Sequence, residues 1–237
     1  MEVETVRIIP VLDLKDGQVV HARKGQRDLY RPIETPLSPT SEPASVAAGL
    51  RSLYPFPTFY IADLNAIAGG LPNDEALAAL RGMKLQPQLW VDAGIAESGP
   101  LAAALEKPWL RPVLGTESQK DAWLLARFAG HPNLILSLDF PGADFHGPAG
   151  IFDNVDLWPQ TVIVMTLARV GAAGGPDFER LQAIKARAGK RAIIAAGGVR
   201  GADDIRSLAE LGIDGALVAT CLHSGTLTPD QIKTLHS

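Results

Sequence analysis

Short runs of Val, Ile and Leu alternate along the chain with longer, Ala-rich runs whose apolar residues recur every three or four positions. The short runs predict buried strands and the long runs predict amphipathic helices. Eight such pairs follow one another, a pattern typical of βα units around a parallel sheet. The strands are predicted at 7–14, 58–63, 88–92, 111–114, 134–139, 161–166, 192–195 and 215–219.

Capping residues mark several of the predicted helix ends. Asn73, Ser118 and Asp177 each precede a helical run and are predicted to be its N-cap. Gly212 follows another run and is predicted to occupy the position after its last turn, where glycine tolerates a positive φ.

Three connections after strands are long. Residues 15–40 contain QVVHARKGQRDLYRP, which predicts a short extra strand followed by basic and aromatic residues, and then a Pro-rich tract. Because loops of this length usually have a function or lack order, we interpret it as a mobile lid over a barrel mouth, in preference to a flexible linker. The other two, 140–156 and 168–176, would lie on the same face, where barrels bind ligands.

The two halves of the chain resemble each other in three segments that occur in the same order. The pairs are ADLNAIAGGLPN from Ala62 with MTLARVGAAGGPD from Met165, DAGIAESG from Asp92 with AGGVRGAD from Ala196, and VLGTES from Val113 with LVATCL from Leu217. Chance similarity between Ala- and Gly-rich stretches is the alternative. We interpret the order as two fused half-barrels, and predict one α/β domain over 1–237, a (βα)8 TIM barrel.

Composition and charge narrow the class of protein. The chain has 237 residues, 46% of them apolar, which is enough for one sizeable core. The formal net charge is −4 and the basic residues are scattered, so neither a nucleic-acid partner nor a membrane partner is expected. No apolar signal segment or membrane-length apolar run is visible, and we therefore expect a soluble, cytoplasmic protein.

The cysteine and histidines give little sign of metal or disulfide chemistry. The single cysteine, Cys221, rules out an internal disulfide and is expected to be an inert, packed thiol. His21, His146 and His223 lack metal-ligand spacing, so we expect neither a metal site nor a cofactor.

Aspartates end several of the predicted strands. Asp13 in RIIPVLDLKDG and Asp139 in LILSLDFPG end strands from opposite halves, so a barrel would bring them to one face as an acid/base pair. Asp63 and Asp92 would extend this ring, and crowding of like charges would raise the pKa of at least one carboxyl. Each aspartate could instead cap a loop. Likewise Thr166, which ends the sixth strand, could bind substrate or anchor its loop.

Small-residue turns follow strands three, four and seven. Their backbone N–H groups could approach an anion at the start of the next helix, although glycine also suits a tight βα turn. Their repetition favours phosphate binding. The candidate substrate-binding residues at these turns and after strand eight are Gly94, Gly115, Thr116, Gly197, Gly198, Arg200 and Thr220.

The opening IIPVLDLKDGQVVHARKG resembles that of the HisA/HisF family, and the resemblance covers essentially the whole chain. ADLNAIAGGLPN, VLGTES, SLD and AGGVRGADDI resemble the family's second, fourth, fifth and seventh strand segments. The resemblance implies a ribulose-phosphate-binding (βα)8 barrel. The family's isomerase of histidine biosynthesis performs an Amadori rearrangement with one aspartate on strand one and one on strand five. These positions correspond to Asp13 and Asp139, and a strand-six threonine of the family corresponds to Thr166.

The sequence departs from the family pattern at ligand positions. Asp92 stands beside the turn that in the family is a run of glycines, Ala96 replaces an arginine, and Ala219 replaces a glycine. The family's acids after strand six are absent from TLARVGAA. The family isomerase's substrate carries two phosphates, and a buried carboxylate beside one of them would repel it. We therefore expect altered substrate recognition, as in the diverged HisA-related proteins of methanogens and methylotrophs.

Three functions remain open at this point. The first is an isomerase-type enzyme acting on a phosphorylated sugar or aminosugar, with Asp13 and Asp139 as base and acid. The second is an enzyme in the biosynthesis of a one-carbon carrier coenzyme of the tetrahydromethanopterin or methanofuran type. The third is a ligand-binding paralogue without catalysis. In each, the expected partner is a small, phosphorylated molecule, while the sequence predicts no oligomeric state.

Overall fold

A computed structural model describes residues 5–22, 26–84, 86–170 and 174–236, and within them eight parallel strands close into a barrel. The first barrel strand pairs with the last, Arg7 lying opposite Gly215. A short strand, β2 (Gln18–Val20), pairs antiparallel with the end of β1. The barrel strands are β1 (Arg7–Lys15), β3 (Thr58–Asp63), β4 (Gln88–Asp92), β5 (Leu110–Gly115), β6 (Ile135–Phe140), β7 (Thr161–Thr166), β8 (Ala192–Ala196) and β9 (Gly215–Val218).

Helices lie in the connections between strands and cover the outside of the barrel. None in the described part of the chain is long and apolar enough to cross a membrane. They are α1 (Pro43–Leu53), α2 (Leu64–Ile67), α3 (Asp74–Arg81), α4 (Ser98–Leu105), α5 (Trp123–Phe128), α6 (Ala149–Asp153), α7 (Phe178–Ala188), α8 (Ala202–Glu210), α9 (Thr220–His223) and α10 (Pro229–Leu235).

Alternation along the strands divides the buried residues into two cores. Successive side chains of a strand point to opposite faces, so every second residue faces the barrel interior. Each strand contributes one large apolar residue to the interior cluster: Ile9, Tyr60, Trp90, Val113, Ile135, Ile163, Ile194 and Leu217. The intervening residues pack outward against the helices, as Leu12, Ile61 and Leu136 do. This alternation decides which polar side chain at a strand end reaches the barrel mouth.

The predicted fold class is confirmed, and the strand boundaries agree to within one residue. Asp177 caps α7, its side chain accepting from the Arg180 N–H, and Gly212 follows α8 with φ of 69°. The prediction for Ser118 was wrong, because residues Thr116–Ser118 form a separate 3-10 turn. Helix α5 begins at Trp123, whose N–H donates to Asp121.

The long first connection lies over the barrel mouth, where it contains β2 and a 3-10 turn, Arg27–Leu29. Tyr30 and Ile33 are buried there and line the cavity beneath. This position agrees with a lid, while its mobility stays a prediction. Residues 23–25 of this connection, and 171–173 of the third long connection, lie outside the described residues.

Candidate active site

A cavity of about 670 Å³ opens at the carboxyl ends of the barrel strands. Strand alternation turns three aspartates into it, Asp13 at the end of β1, Asp92 on β4 and Asp139 on β6. Strands β1 and β6 are the first and fifth of eight, so Asp13 and Asp139 enter from opposite sides of the barrel. The expected pair of carboxyls therefore shares one cavity with a third.

The carboxyl of Asp139 is held by three neighbouring groups. Ser137 donates its hydroxyl to Oδ1 at 2.7 Å, and the Glu117 N–H donates to Oδ2 at 3.0 Å. The Thr116 hydroxyl lies 3.2 Å from the same Oδ2 and 2.8 Å from the carbonyl oxygen of His146. Burial raises the pKa of Asp139 to about 6, while these donors work in the opposite direction by favouring the carboxylate.

Asp92 lies beside Asp139 and has fewer partners. Its Oδ1 accepts from the Gly94 N–H at 3.1 Å, and the Tyr60 hydroxyl lies 3.5 Å from its Oδ2, at the outer limit for a hydrogen bond. Burial, and then the charge of Asp139, raise the pKa of Asp92 to about 7. Burial also raises the pKa of Tyr60 well above its usual value, so this phenol keeps its proton.

Asp13 differs because no hydrogen bond to its carboxyl comes from the residues that the structure describes. Its side chain keeps part of its surface open to the cavity. Burial raises the pKa of Asp13 to about 7, and the positive charge of Arg27 opposes that shift. Near neutral pH the cavity therefore holds three carboxyls that each ionise close to the ambient pH, a condition for proton transfer in either direction.

An ion pair above the aspartates was missed by the sequence analysis. Arg27, in the lid segment, contacts the Glu117 carboxylate, which follows β5, and both line the cavity. Since Glu117 also holds Asp139 through its backbone, the pair links the lid to the carboxyl. No local signal identified Arg27. Ser137 could have been found, because it precedes Asp139 by two positions and so shares its face of the strand.

Asp63 corrects one expectation, because its carboxylate is not part of the inward-facing ring. It accepts from the N–H of Ala66 and from both the backbone and the side chain of Asn73, at 2.7–3.1 Å. The residue that faces the interior near the end of β3 is Ala62, so Asp63 falls on the outer face. Asn73 stands before α3 as predicted, but its amide serves this loop in place of the helix end.

Thr166 also points away from the cavity. It is buried, and its hydroxyl accepts from the Arg180 guanidinium of α7 at 3.3 Å. Met165 is the residue of β7 that faces the cavity. The structure therefore favours the loop-anchoring interpretation of Thr166 over direct contact with substrate.

Some of the predicted anion-binding turns line the cavity and others do not. Gly197, Gly198, Arg200 and Thr220 line it. Gly94 packs instead against Ile67 and Ser118, and gives its N–H to Asp92. Any phosphate site formed by these turns therefore belongs to the second half of the barrel.

Gly115 and Thr116, the remaining predicted turn, serve the carboxyls. A Cβ at Gly115 would lie 3.0 Å from Asp92 Oδ2, and Thr116 is fully buried against Asp139. Neither residue lines the cavity, and both contact or make room for the aspartates.

Cys221 and His223 also line the cavity, and both stay neutral near neutral pH. Burial raises the pKa of Cys221 to about 12 and lowers that of His223 to about 4. The neutral imidazole of His223 contacts the Thr35 hydroxyl of the lid through Nδ1 at 3.1 Å. Among the residues that the structure describes, no three His, Cys, Asp or Glu side chains are grouped as metal ligands.

Comparison with known proteins agrees with this architecture. The chain is 30% identical over 233 residues to an uncharacterised protein of Methanocaldococcus jannaschii, covering 96% of this chain and 97% of that one. It is 29% identical over 245 residues to phosphoribosyl isomerase A of Streptomyces coelicolor, covering 95% and 96% of the two chains. It is also 29% identical over 252 residues to phosphoribosyl isomerase A of Mycobacteroides abscessus, covering 96% and 98%. A family model described as "Histidine biosynthesis protein" matches residues 7–228. The chain thus belongs to the histidine biosynthesis protein family, which is the HisA/HisF family.

Proposed function

We propose that this protein is an isomerase that converts a phosphorylated aminoaldose into the corresponding aminoketose by acid/base catalysis. The observation that carries the proposal is the entry of Asp13 and Asp139 into one cavity from opposite sides, each with a pKa raised to between about 6 and about 7. Two such carboxyls supply a proton donor and a proton acceptor at the same pH. Relatives named phosphoribosyl isomerase A support the same class of reaction.

The rearrangement needs an acid and a base in sequence. A protonated carboxyl gives its proton to the ring oxygen, the C1–O bond breaks, and the nitrogen lone pair forms a C1=N bond. A carboxylate then removes the proton at C2, and that electron pair forms C1=C2 while the iminium becomes an amine. The enol proton leaves, the ketone forms at C2, and C1 receives a proton, so the product is an isomer of the substrate.

Hydrogen bonding favours ionisation of Asp139 before Asp13 in the free protein. Three donors favour the carboxylate of Asp139, whereas Asp13 has no such donor among the described residues. Between about pH 6 and about pH 7, Asp139 is then mainly the carboxylate while Asp13 mainly keeps its proton, so the free protein holds one base and one acid. The activity is expected to be bell-shaped with pH, with both limbs near neutrality.

Asp13→Asn and Asp139→Asn test the proposal directly. Each should lower the rate by about 10²–10⁴ while leaving the fold intact, because each removes one proton-transfer group. Phosphorylated aminoaldoses would be incubated with the protein in heavy water and followed by proton NMR, which detects the ketose and deuterium entering at C1. Glu97→Gln, an exposed acid outside the cavity, is the matched control. Turnover that persists in both Asn variants would contradict the proposed mechanism.

The substrate is expected to differ from that of the histidine-pathway isomerase. Asp92 lies where a second phosphate would approach the first-half turn, and like charges at short range repel strongly in a cavity. We therefore expect weak or absent turnover of the histidine-pathway substrate and no rescue of a histidine auxotroph lacking that isomerase. Full rescue would overturn the expectation of altered substrate recognition.

Two other functions lead to different results in the same experiments. A role in the biosynthesis of a one-carbon carrier coenzyme would appear as turnover of a furan or pterin precursor, again dependent on the two aspartates. A binding protein without catalysis would hold a phosphorylated ligand and give no deuterium exchange. The carboxyl pair and its raised pKa values favour an enzyme over this last function.

A further inference from the structure

Two turns occupy equivalent positions in the barrel, four strands apart. Residues 92–96 start at the last residue of the third barrel strand and residues 196–200 at the last residue of the seventh, at an offset of 104 residues. Each begins at a buried, inward-facing residue, Asp92 or Ala196. Three partly buried residues and then one exposed residue follow in both turns. Gly94 and Gly198 both have positive φ, 62° and 84°. The two turns therefore agree at their third residue and differ at their second, where Gly197 has φ of 103° and Ala93 has no positive φ.

The charges on these matched turns are opposite. The first has an acid, Asp92, at its inward position and Ala96 at its fifth position, while the second has Ala196 and Arg200. Asp204 holds Arg200 in place, accepting from Nε at 2.9 Å and from an NH2 group at 2.7 Å. The second turn can thus offer an anion its glycine backbone and a positioned guanidinium, whose charge is shared with Asp204.

The surroundings of Asp92 make the other end of the cavity negative. Asp139 and Glu117 both act on it as like charges, and the cation nearby, Arg27, is already paired with Glu117. The Gly94 N–H, which could otherwise meet an anion, is taken by Asp92 itself. Asp13 faces the same cavity, and no described residue gives a hydrogen bond to its carboxyl. Asp92 has only the Gly94 N–H and a long contact with the Tyr60 hydroxyl, so a charged donor on a ligand would add to the few partners of these carboxyls.

We propose that Asp92 determines specificity for a substrate with unlike ends, a single phosphate at the Gly198–Arg200 turn and a protonated amine at Asp92. A carboxylate in this low-dielectric position binds an ammonium group well and repels a second phosphate. The assignment of this ligand as a substrate rests on the proposed function, whereas its charge pattern rests on the two turns and the acids around Asp92.

Binding of simple probes tests the charge pattern without turnover. Calorimetry would compare an alkyl phosphate, an ω-aminoalkyl phosphate and an alkane bisphosphate of matched chain length, above the Asp92 pKa of about 7. The wild-type protein should bind the aminoalkyl phosphate about tenfold more tightly than the alkyl phosphate, as one charge-assisted hydrogen bond predicts. It should bind the bisphosphate no better than the alkyl phosphate.

Asp92→Asn is the informative variant, because asparagine keeps an oxygen for the Gly94 N–H and removes the charge. Its preference for the amine should vanish, and its affinity for the bisphosphate should rise. Glu97→Gln removes an exposed acid from the same loop and should leave both unchanged. Circular dichroism of each variant checks the fold.

Three results would overturn the inference: a wild-type preference for the bisphosphate, an amine preference that survives in Asp92→Asn, or no binding of any phosphate probe. Failure of the proposed isomerase would look different, since it would leave the amine preference intact while deuterium exchange was absent. The two proposals are therefore tested separately.

Discussion

The carboxyl groups of Asp92 and Asp139 meet over Gly115, which lies on the strand between them. A Cβ at position 115 would stand 3.0 Å from Oδ2 of Asp92 and 3.3 Å from Oδ2 of Asp139. The missing side chain gives both carboxyls the space to enter the cavity from neighbouring strands. Their approach adds charge repulsion to burial as a cause of the raised pKa of Asp92.

Gly115→Ala should displace one or both carboxyls, because the new methyl group would be tighter against them than ordinary contact allows. A shift of this kind in a proton-transfer group is expected to lower the rate by about 10²-fold, with a fold that remains intact. Steady-state kinetics and circular dichroism measure the two effects. Gly99→Ala is the control, since a Cβ there meets nothing within 4 Å. Equal activity in the two variants would count against this account of Gly115.

Asp63→Ala should destabilise the protein while sparing its chemistry. The change removes a fully buried carboxylate that accepts from three donors, a loss of about 2–4 kcal/mol in the free energy of unfolding. Urea denaturation measures the loss, and Glu75→Ala, an exposed acid nearby, should stay within about 0.5 kcal/mol of wild type. A large fall in the catalytic rate per folded molecule would contradict this account and indicate that Asp63 takes part in catalysis.

Asp13→Asn should increase the free energy of unfolding at pH values above the pKa of Asp13, but not at pH values below it. Because burial raises this pKa from 3.8 to about 7, the unfolded chain releases the proton first, and wild-type stability falls as pH rises through that window. The asparagine variant has no carboxyl to titrate at this position, so its stability does not fall in this way. At about pH 8 the variant should gain about 1–3 kcal/mol after allowance for water in the cavity, and little at about pH 4. Urea titrations at both pH values measure it, and an equal gain at both would refute the linkage.

Sulfate should bind at no more than one of the two matched turns. We expect it near Gly198 and Thr220, which line the cavity, and not at Gly94, whose N–H is taken by Asp92. The Cβ of Ala219 should weaken even that site by narrowing the approach. A crystal structure after soaking in sulfate tests this, and two occupied sites related by the repeat would contradict our interpretation of Asp92.

The sequence by itself determined the fold class and the strand positions. Eight apolar runs separated by helical repeats leave few arrangements other than a closed parallel barrel, because each run needs burial on both faces. The sequence also identified Asp13 and Asp139 as residues that face the cavity. Burying an ionised carboxyl at the end of a wholly apolar strand costs free energy unless the carboxyl faces the barrel mouth. Local caps such as Asp177 were readable because they depend only on neighbours in the chain.

Only the tertiary structure decided which polar residues share the cavity. Asp63 and Asp92 end similar strands, yet one turns outward to Asn73 and the other inward, because a shift of one residue in the alternation reverses the face. Thr166 turned outward for the same reason. The contact of Arg27 with Glu117 spans 90 residues, and a pairing so distant in sequence depends on the closed barrel that brings the lid over the mouth.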